Sequence, residues 1–182
     1  MGLLGLSEHL VLYFMEFERT IGLPGMLLIT ALECSVLPVP PEPFVFPYAL
    51  RMNPWVLAGL TALASIAGSL LGYAIGYYGG RPLAVKLIGE ANLIRVEERL
   101  TRHWFAAWTS VFLAGLIQFI PFKPFTIGAG LVEMDLRLFL TAVVSGRFLR
   151  FLMLGYVSQS ETVQSAISHY LGPKVLKMLT SV

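Results

Sequence analysis

The sequence predicts an all-α integral membrane protein. The predicted architecture is an inverted repeat of two re-entrant helical hairpins, each followed by a transmembrane helix, with amphipathic helices at the membrane interface. First, 56% of the 182 residues are hydrophobic, only 13% are charged, and the mean hydropathy is +0.73; soluble domains carry about 25% charged residues. Second, two apolar stretches break at prolines beside ionisable residues. Third, the two halves correspond at a constant offset. A chain of this length forms one membrane domain, 1–182.

The first hairpin follows an N-terminal segment of different character. Residues 3–19 alternate apolar and charged positions at helical spacing, which predicts an amphipathic helix at the membrane surface, with a short tilted span as the alternative. An apolar arm over 21–37 carries Glu33, and a second arm resumes at Phe44 after Glu42. Neither arm reaches the roughly 20 residues that cross a bilayer, so a hairpin that enters and leaves on one side is expected. Because successive prolines cannot continue a helix, the bend is assigned to Pro38, Pro40 and Pro41.

Residues 54–80 predict the first transmembrane helix and complete repeat 1, which covers about 21–80. This stretch carries no charged residue. Gly68, Gly72 and Gly76 recur every four residues, so one face of the helix carries small residues against which another helix can pack closely. The ordinary glycine enrichment of membrane helices is the alternative explanation, but the regular spacing favours a packing seam.

The connection over 81–103 is the most charged part of the chain. It combines five basic and three acidic residues with apolar positions, which predicts a pair of amphipathic helices. Basic residues next to membrane segments favour the cytoplasmic side, so we expect this connection in the cytoplasm. A solvated linker is the alternative and would have the same orientation.

The second hairpin is predicted by the same length argument. An uncharged run over 104–122 is followed by a short arm over 124–132. The bend between them is assigned to Pro121 and Pro124, which bracket Lys123. A cation inside an apolar segment is costly unless it lines a cavity or binds an anion.

The second transmembrane helix is predicted over 136–157 and completes repeat 2, about 104–157. It carries Arg147 and Arg150 near its middle, and their spacing of three places both on one face. The C-terminal segment 159–182 has a moderate apolar pattern, and two alternatives stay open: it lies on the membrane surface or crosses obliquely.

The two halves correspond when one is shifted by about 82 residues. The matching features are the bends at 38–43 and 120–125, the segments Arg51-Met52-Asn53 and Glu133-Met134-Asp135, and, within one residue, Gly72-Tyr73 and Gly155-Tyr156. Since one transmembrane helix separates the hairpins, they must enter from opposite faces. That inverted repeat is typical of secondary transporters, whose binding site lies between broken helices near the midplane. A chance match of two proline bends is the alternative.

Five ionisable residues fall inside the predicted membrane segments: Glu33, Glu42, Lys123, Arg147 and Arg150. A charge at the centre of a membrane helix costs about 2.5–3.5 kcal/mol, so these groups must pair, line a water cavity or bind a ligand. One hypothesis is that the two carboxylates pair with the two arginines and lock the halves together. The other is that the excess of cations binds an anionic headgroup such as a phosphate. The carboxylates then bind and release protons, because desolvation favours their uncharged form.

No residue pattern indicates an enzyme. Cys34 has no evident catalytic partner, and the scattered His9, His103 and His169 predict no metal site. We therefore expect neither enzymatic activity nor a cofactor, and no nucleic-acid partner.

Four motifs over residues 32–151 carry a family resemblance. They are Glu33 followed by Pro38-Val39-Pro40-Pro41-Glu42, the glycine row of Gly68–Tyr77, the proline–lysine–glycine segment Pro121–Gly130, and Gly146-Arg147 with Arg150-Phe151. Together they resemble the DedA superfamily of membrane proteins, whose domain is also called the VTT or SNARE-associated Golgi protein domain. The chain looks most like the small, YqaA-type branch of that superfamily.

The resemblance implies two hairpins that face each other across an inverted repeat, and it implies lipid transport. Members of the superfamily are similar to flippases that recycle undecaprenyl phosphate with the proton motive force, or to phospholipid scramblases. Carried over by position, Glu33 and Glu42 are the proton-linked residues, Lys123 is the basic residue of the second hairpin and Arg147 is the helix arginine. Larger members share a pair of arginines around the second bend, where this chain has Gln118 and Lys123.

The sequence therefore predicts a translocase for lipid phosphates, with a polyprenyl phosphate or a related anionic phospholipid as substrate. Lys123, Arg147 and Arg150 are expected to hold the phosphate, while the hydrocarbon tail stays in the bilayer. The expected partners are membrane lipids and protons, and the expected location is the cytoplasmic membrane of a prokaryote. Two alternatives stay open: an energy-independent scramblase and a membrane-organising protein. The oligomeric state is also open, with a homo-oligomer as one alternative.

Overall fold

The computed structural model describes residues 20–34, 41–80 and 103–170, together with positions 82, 90 and 94. The predictions for 1–19, for most of the 81–103 connection, for Pro38 and Pro40 and for 171–182 lie outside these residues. Within the described part, the regular structure is helical. The helices are α1 Thr20–Cys34, α2 Glu42–Arg51, α3 Pro54–Ala74 with a π-helical continuation Ile75–Gly80, α4 Trp104–Leu116, α5 Phe122–Leu131, α6 Leu136–Ser158 and α7 Glu161–Tyr170.

Two helices are long and apolar enough to cross a membrane, namely Pro54–Gly80 with 27 residues and Leu136–Ser158 with 23 residues. Their extents agree with the predicted helices over 54–80 and 136–157. Their outer faces expose large apolar side chains, including Leu63 and Leu71 on α3 and Leu149 and Met153 on α6. Surfaces of this kind suit contact with lipid. The apolar helices α1 and α4 are shorter, at 10–17 residues.

Each long helix begins at a side-chain cap. The Asn53 Oδ1 atom accepts a hydrogen bond from the Trp55 backbone N–H at 2.9 Å. The Asp135 Oδ1 atom accepts hydrogen bonds from the backbone N–H groups of Arg137 and Leu138, at 2.9 and 3.0 Å. Asn and Asp are favoured N-caps because they satisfy N–H groups that lack an intrahelical acceptor. The two caps lie at equivalent positions of the two halves.

The helices α3 and α6 pack side by side and antiparallel. At one end, the Trp55 Nε1–H donates to the Tyr156 hydroxyl at 2.9 Å. At the other end, the rings of Tyr73 and Phe139 lie 5.0 Å apart, and the Tyr73 hydroxyl donates to the Met134 carbonyl at 2.7 Å. The first residues of each long helix therefore lie beside the last residues of the other.

The predicted glycine row brings both hairpins close to α3. A Cβ atom on Gly68 would collide with the Ala31 carbonyl of α1, and one on Gly76 would collide with the Ile127 carbonyl of α5. Between them, a Cβ atom on Gly72 would lie 2.6 Å from a side-chain oxygen of α5. Small residues at these positions let the backbones approach closely. Gly146 does the same on α6, where a Cβ atom would lie 2.6 Å from a carbonyl oxygen of α4.

The helix starts at the bends differ from the prediction. Helix α2 begins at Glu42 rather than Phe44, and α5 begins at Phe122, so Pro124 lies in the first turn of α5 rather than in the bend. A proline in the first turn costs little, because the N–H group that it lacks would have no intrahelical acceptor there. The bend of the second hairpin is therefore the segment before Lys123, and Lys123 itself is helical.

The buried apolar side chains form two clusters on either side of the charged residues. One cluster joins the first hairpin to the start of α3 and the end of α6; its buried members are Met26, Val45, Tyr48, Ala49, Leu57, Ala58 and Phe151. The other joins the second hairpin to the first half of α6 and includes Val111, Phe122 and Phe139. The buried Cys34 of α1 also belongs to the second cluster, so both clusters contain residues of the first hairpin.

Candidate functional site

An open cavity of about 420 Å³ lies where the two hairpins meet the middle of α6. It is lined by Glu33, Pro41 and Glu42 from the first hairpin, by Gln118, Phe119, Ile120, Pro121, Phe122 and Lys123 from the second, and by Arg150 from α6. Its volume is within the usual range of small-molecule sites. Four of the five predicted ionisable residues therefore line one cavity.

Arg147 lies behind the cavity wall. Its side chain is fully buried, and its Nη2 atom lies 3.0 Å from Glu33 Oε2 and 3.3 Å from Glu33 Oε1. Its guanidinium carbon lies 4.4 Å from the centre of the Phe122 ring, in a cation–π contact. Since Glu33 and Phe122 both line the cavity, they separate Arg147 from it. The Arg147 Nε and Nη1 atoms are also buried, and they find no hydrogen-bond acceptor among the residues that the structure describes.

Arg150 forms the second ion pair, with Glu42. Both residues line the cavity, and both keep contact with its space: the side chains of Arg150 and Glu42 are 12% and 21% exposed. The guanidinium carbon of Arg150 lies 5.6 Å from the centre of the Phe151 ring. The two arginines, one turn apart on α6, thus hold one arm each of the first hairpin, because Glu33 belongs to α1 and Glu42 begins α2.

Cys34 lies directly beside the first ion pair. It is fully buried, and its thiol donates to Glu33 Oε2 at 3.3 Å. The same carboxylate oxygen therefore accepts from Cys34 and faces Arg147. Glu33 is thus held by both Arg147 and Cys34, and its side chain, like that of Glu42, also lines the cavity.

The electrostatic character of the site favours an anion. Among the described residues, three cations lie at or directly behind the cavity and two carboxylates face them. Helix α5 begins at the cavity wall with no side-chain cap hydrogen bond and no acidic residue in its first turn, as far as the described residues show. The N–H groups at such a helix start, together with the helix dipole, attract a negative group.

The structure brings together Glu33, Glu42, Lys123, Arg147 and Arg150, and adds residues that the sequence did not single out. Pro41 and Pro121 line the cavity, as their assignment to the bends would place them. Phe122 supports Arg147, and Phe119 is 95% exposed at the cavity. Neither phenylalanine stands out among the 12 in this chain. The sequence feature that could have indicated them was their position in the segment that leads to Lys123, the lysine bracketed by prolines.

Together the fold and the cavity define an all-helical protein with two helices able to cross a membrane and a charged site between two broken helix pairs. The model of the VTT domain matches residues 39–160, which is more than half of the chain. The chain therefore belongs to the VTT-domain (DedA) family, which is membrane-associated. This confirms the resemblance seen in its motifs.

The chain is also similar to a bacterial protein. A protein of Haemophilus influenzae, described as uncharacterized, is 30% identical over 130 residues. The match covers 69% of this chain and 66% of the relative, so the chain spans slightly less than two thirds of that protein. None of the solved structures matches the chain.

Proposed function

We propose that the protein translocates membrane lipids that carry an anionic phosphate headgroup, with a polyprenyl phosphate as the first candidate. The observation that carries this proposal is the cavity of about 420 Å³, in which Lys123 and Arg150 face an open space at the start of α5. A guanidinium group and helix N–H groups are recurrent phosphate ligands in proteins. Transport moves the lipid without breaking a covalent bond, so no catalytic group is required.

The headgroup and the tail of the lipid are held by different means. Lys123 and Arg150 contact the phosphate, and Arg147 adds its charge from behind Glu33 and Phe122. The hydrocarbon tail stays in the bilayer, because the cavity is open rather than enclosed. The exposed ring of Phe119 provides an apolar surface where the tail leaves the polar site.

The proposal includes an inverted repeat with two re-entrant hairpins. The antiparallel packing of α3 and α6 and the equivalent caps at Asn53 and Asp135 support it. The arms of the hairpins are also too short to cross a bilayer, which requires about 20 residues. In this arrangement the two hairpins open the cavity alternately to the two sides of the membrane.

Proton coupling is assigned to Glu33 and Glu42. Both line the cavity, and their side chains are 16% and 21% exposed, so water in the cavity reaches them. A proton on either carboxylate removes the charge that its arginine faces. Protonation therefore changes the balance between the ion pairs and a bound phosphate.

The test is transport of a radiolabelled polyprenyl phosphate in proteoliposomes, with and without a pH gradient. The wild-type protein is expected to move the lipid faster with the gradient. Lys123→Ala is expected to abolish transport while the protein stays inserted and folded. Arg137→Ala is the matched control, since Arg137 is exposed at the start of α6 and does not line the cavity. Wild-type rates in Lys123→Ala would refute the proposal.

A scramblase is the second candidate function, and the openness of the cavity favours it. It would transport phospholipids in both directions at equal rates without a gradient, and it would tolerate Glu42→Gln. A membrane-organising protein is the third, favoured by the two ion pairs between the first hairpin and α6. In that case no lipid is transported, and exchanging the charges of Glu42 and Arg150 preserves the activity of the protein in cells.

A further inference from the structure

The two ion pairs on α6 differ in what surrounds them. Arg147 is fully buried, and its partner Glu33 also accepts a hydrogen bond from Cys34. The Phe122 ring covers the guanidinium group of Arg147. A ligand in the cavity can reach Arg147 only by displacing Glu33 or Phe122. Breaking a buried pair leaves an uncompensated charge, which is strongly unfavourable.

The pair of Arg150 and Glu42 is open to the cavity instead. Both side chains line it and both are partly exposed. A guanidinium group binds a phosphate in the same bidentate way as it binds a carboxylate. A phosphate monoester carries about −1.5 to −2 charges near pH 7, against −1 for a carboxylate, so it competes effectively for this arginine. Lys123, which also lines the cavity, adds a second positive charge for the phosphate.

The ion pair between Glu42 and Arg150 also links helix α2 to helix α6. Glu42 is the first residue of α2, next to the bend, so its ion pair holds the cavity end of this helix against α6. The far end is held separately: Gln159 Nε2 donates to the carbonyls of Ala49 and Met52, at 2.9 and 2.6 Å. Loss of the ion pair therefore removes the polar tie at the cavity end of α2, where Pro41 and Val45 stay buried, while the far end keeps its hydrogen bonds.

We propose that Arg150 exchanges Glu42 for the lipid phosphate, whereas the Glu33–Arg147 pair stays closed as a latch between α1 and α6. This inference rests on the proposed function and narrows its proton coupling to Glu42, because Glu33 stays paired with Arg147. Arg150 is the cation that binds the ligand by exchange. Arg147 is a positioning residue, which holds Glu33 and Phe122 in the cavity wall. Entry of a phosphate thus breaks one of the two ion pairs between the first hairpin and α6 and leaves the other in place.

The exchange is tested by a double-mutant cycle on phosphate binding. The protein is placed in phosphatidylcholine nanodiscs and titrated with dihexanoyl phosphatidic acid and, separately, with inorganic phosphate. Glu42→Gln is expected to tighten binding about tenfold, which corresponds to about 1.4 kcal/mol, because the competing carboxylate is gone. Arg150→Gln is expected to weaken binding. In the Arg150→Gln background, Glu42→Gln is expected to have almost no effect, because the pair no longer competes.

If Glu42→Gln tightened phosphate binding equally in the wild-type and the Arg150→Gln backgrounds, the exchange would be overturned. The tightening would then reflect only the removal of a nearby negative charge. The two probes distinguish the source of the phosphate. The same coupling with both probes means that the phosphate group alone drives the exchange. Coupling with phosphatidic acid alone means that the lipid chains are needed as well. Either result supports the exchange.

The latch is tested with the single cysteine of the chain as a reporter. Cys34 is fully buried beside Glu33, so alkylation by N-ethylmaleimide reports opening of this pair. We expect Cys34 to stay protected in the wild type and in Glu42→Gln, with and without phosphatidic acid. We expect it to react in Glu33→Gln. Phosphate-induced reactivity in the wild type would overturn the latch, and this arm needs no variant that could fail to fold.

The outcomes separate this inference from the proposed function. Lipid transport together with absent coupling between Glu42 and Arg150 would refute the exchange and leave the translocase standing. Absence of binding of either probe to the wild type, together with absence of transport, would refute both.

Discussion

The environment of Arg147 explains how a full charge can lie in the interior of so apolar a chain. The Glu33 carboxylate neutralises it at 3.0 Å, and the Phe122 ring lies against its face. Both contacts matter because a buried ion retains a penalty of several kcal/mol that only close partners offset. Arg150 has a different environment, since its side chain keeps contact with the cavity.

The first prediction concerns the stability that each ion pair contributes. Glu33→Gln is expected to lower the free energy of unfolding by about 3–5 kcal/mol, because it leaves the buried Arg147 charge without its carboxylate. Glu42→Gln, the matched control, is expected to cost less, because Arg150 is partly exposed to the cavity and can be solvated there. Tryptophan fluorescence during denaturant unfolding in detergent measures both. Equal losses in the two variants would contradict the difference in burial.

The sequence identified the charged residues of the site and gave pairing of the carboxylates with the arginines as one hypothesis, but not which carboxylate meets which arginine. Glu33, Glu42 and Lys123 stand out because an ionisable residue in an apolar run requires a compensating partner. Which carboxylate meets which arginine depends on the rotation of α6 against the first hairpin, and nothing local to the sequence determines that rotation. The contribution of Phe122 was equally hidden, because its contact with Arg147 arises only when α5 packs against α6.

At the scale of helices, the predicted spans were reliable and the predicted bends were less so. An uncharged run as long as 54–80 has few alternatives to a helix, and the structure has a helix over that range. The prolines led to wrong predictions of where the helices start. Pro124 was assigned to a bend, yet it lies in the first turn of α5, where a missing N–H group costs nothing. A proline indicates that a helix starts nearby. It does not indicate whether the helix starts before or after the proline.

The second prediction concerns the glycine row of α3. Gly76→Ala is expected to destabilise the protein, because the added Cβ atom meets the Ile127 carbonyl, a backbone atom that cannot rotate away. Gly59→Ala in the same helix is the control: its Cβ atom meets nothing within 4 Å. That variant is expected to be neutral or to gain up to about 1 kcal/mol from the higher helix propensity of alanine. Thermal unfolding in detergent compares the two, and a neutral Gly76→Ala would contradict the close packing of α3 and α5.

At the scale of the whole molecule, the other described helices pack against the antiparallel pair of α3 and α6. With a rise of 1.5 Å per residue, the 27 and 23 residues of these helices extend about 40 and 35 Å, enough for a hydrocarbon core of about 30 Å. The caps at Asn53 and Asp135 then lie at opposite ends of the pair. In the proposed inverted repeat, each hairpin precedes one of these caps, and the cavity lies between the two hairpins.

The last prediction is the topology that follows from this arrangement. The 81–103 connection follows the end of α3 that packs near Met134, and its basic residues favour the cytoplasm. A cysteine at the exposed position Arg137 is therefore expected to react with a membrane-impermeant maleimide only after cells are permeabilised. A cysteine at the exposed position Asn53 is expected to react in intact cells. The wild type is the control, because its single cysteine is buried. Labelling of both positions from the same side would contradict the inverted arrangement, whereas labelling of each from the opposite side would contradict only the cytoplasmic assignment of 81–103.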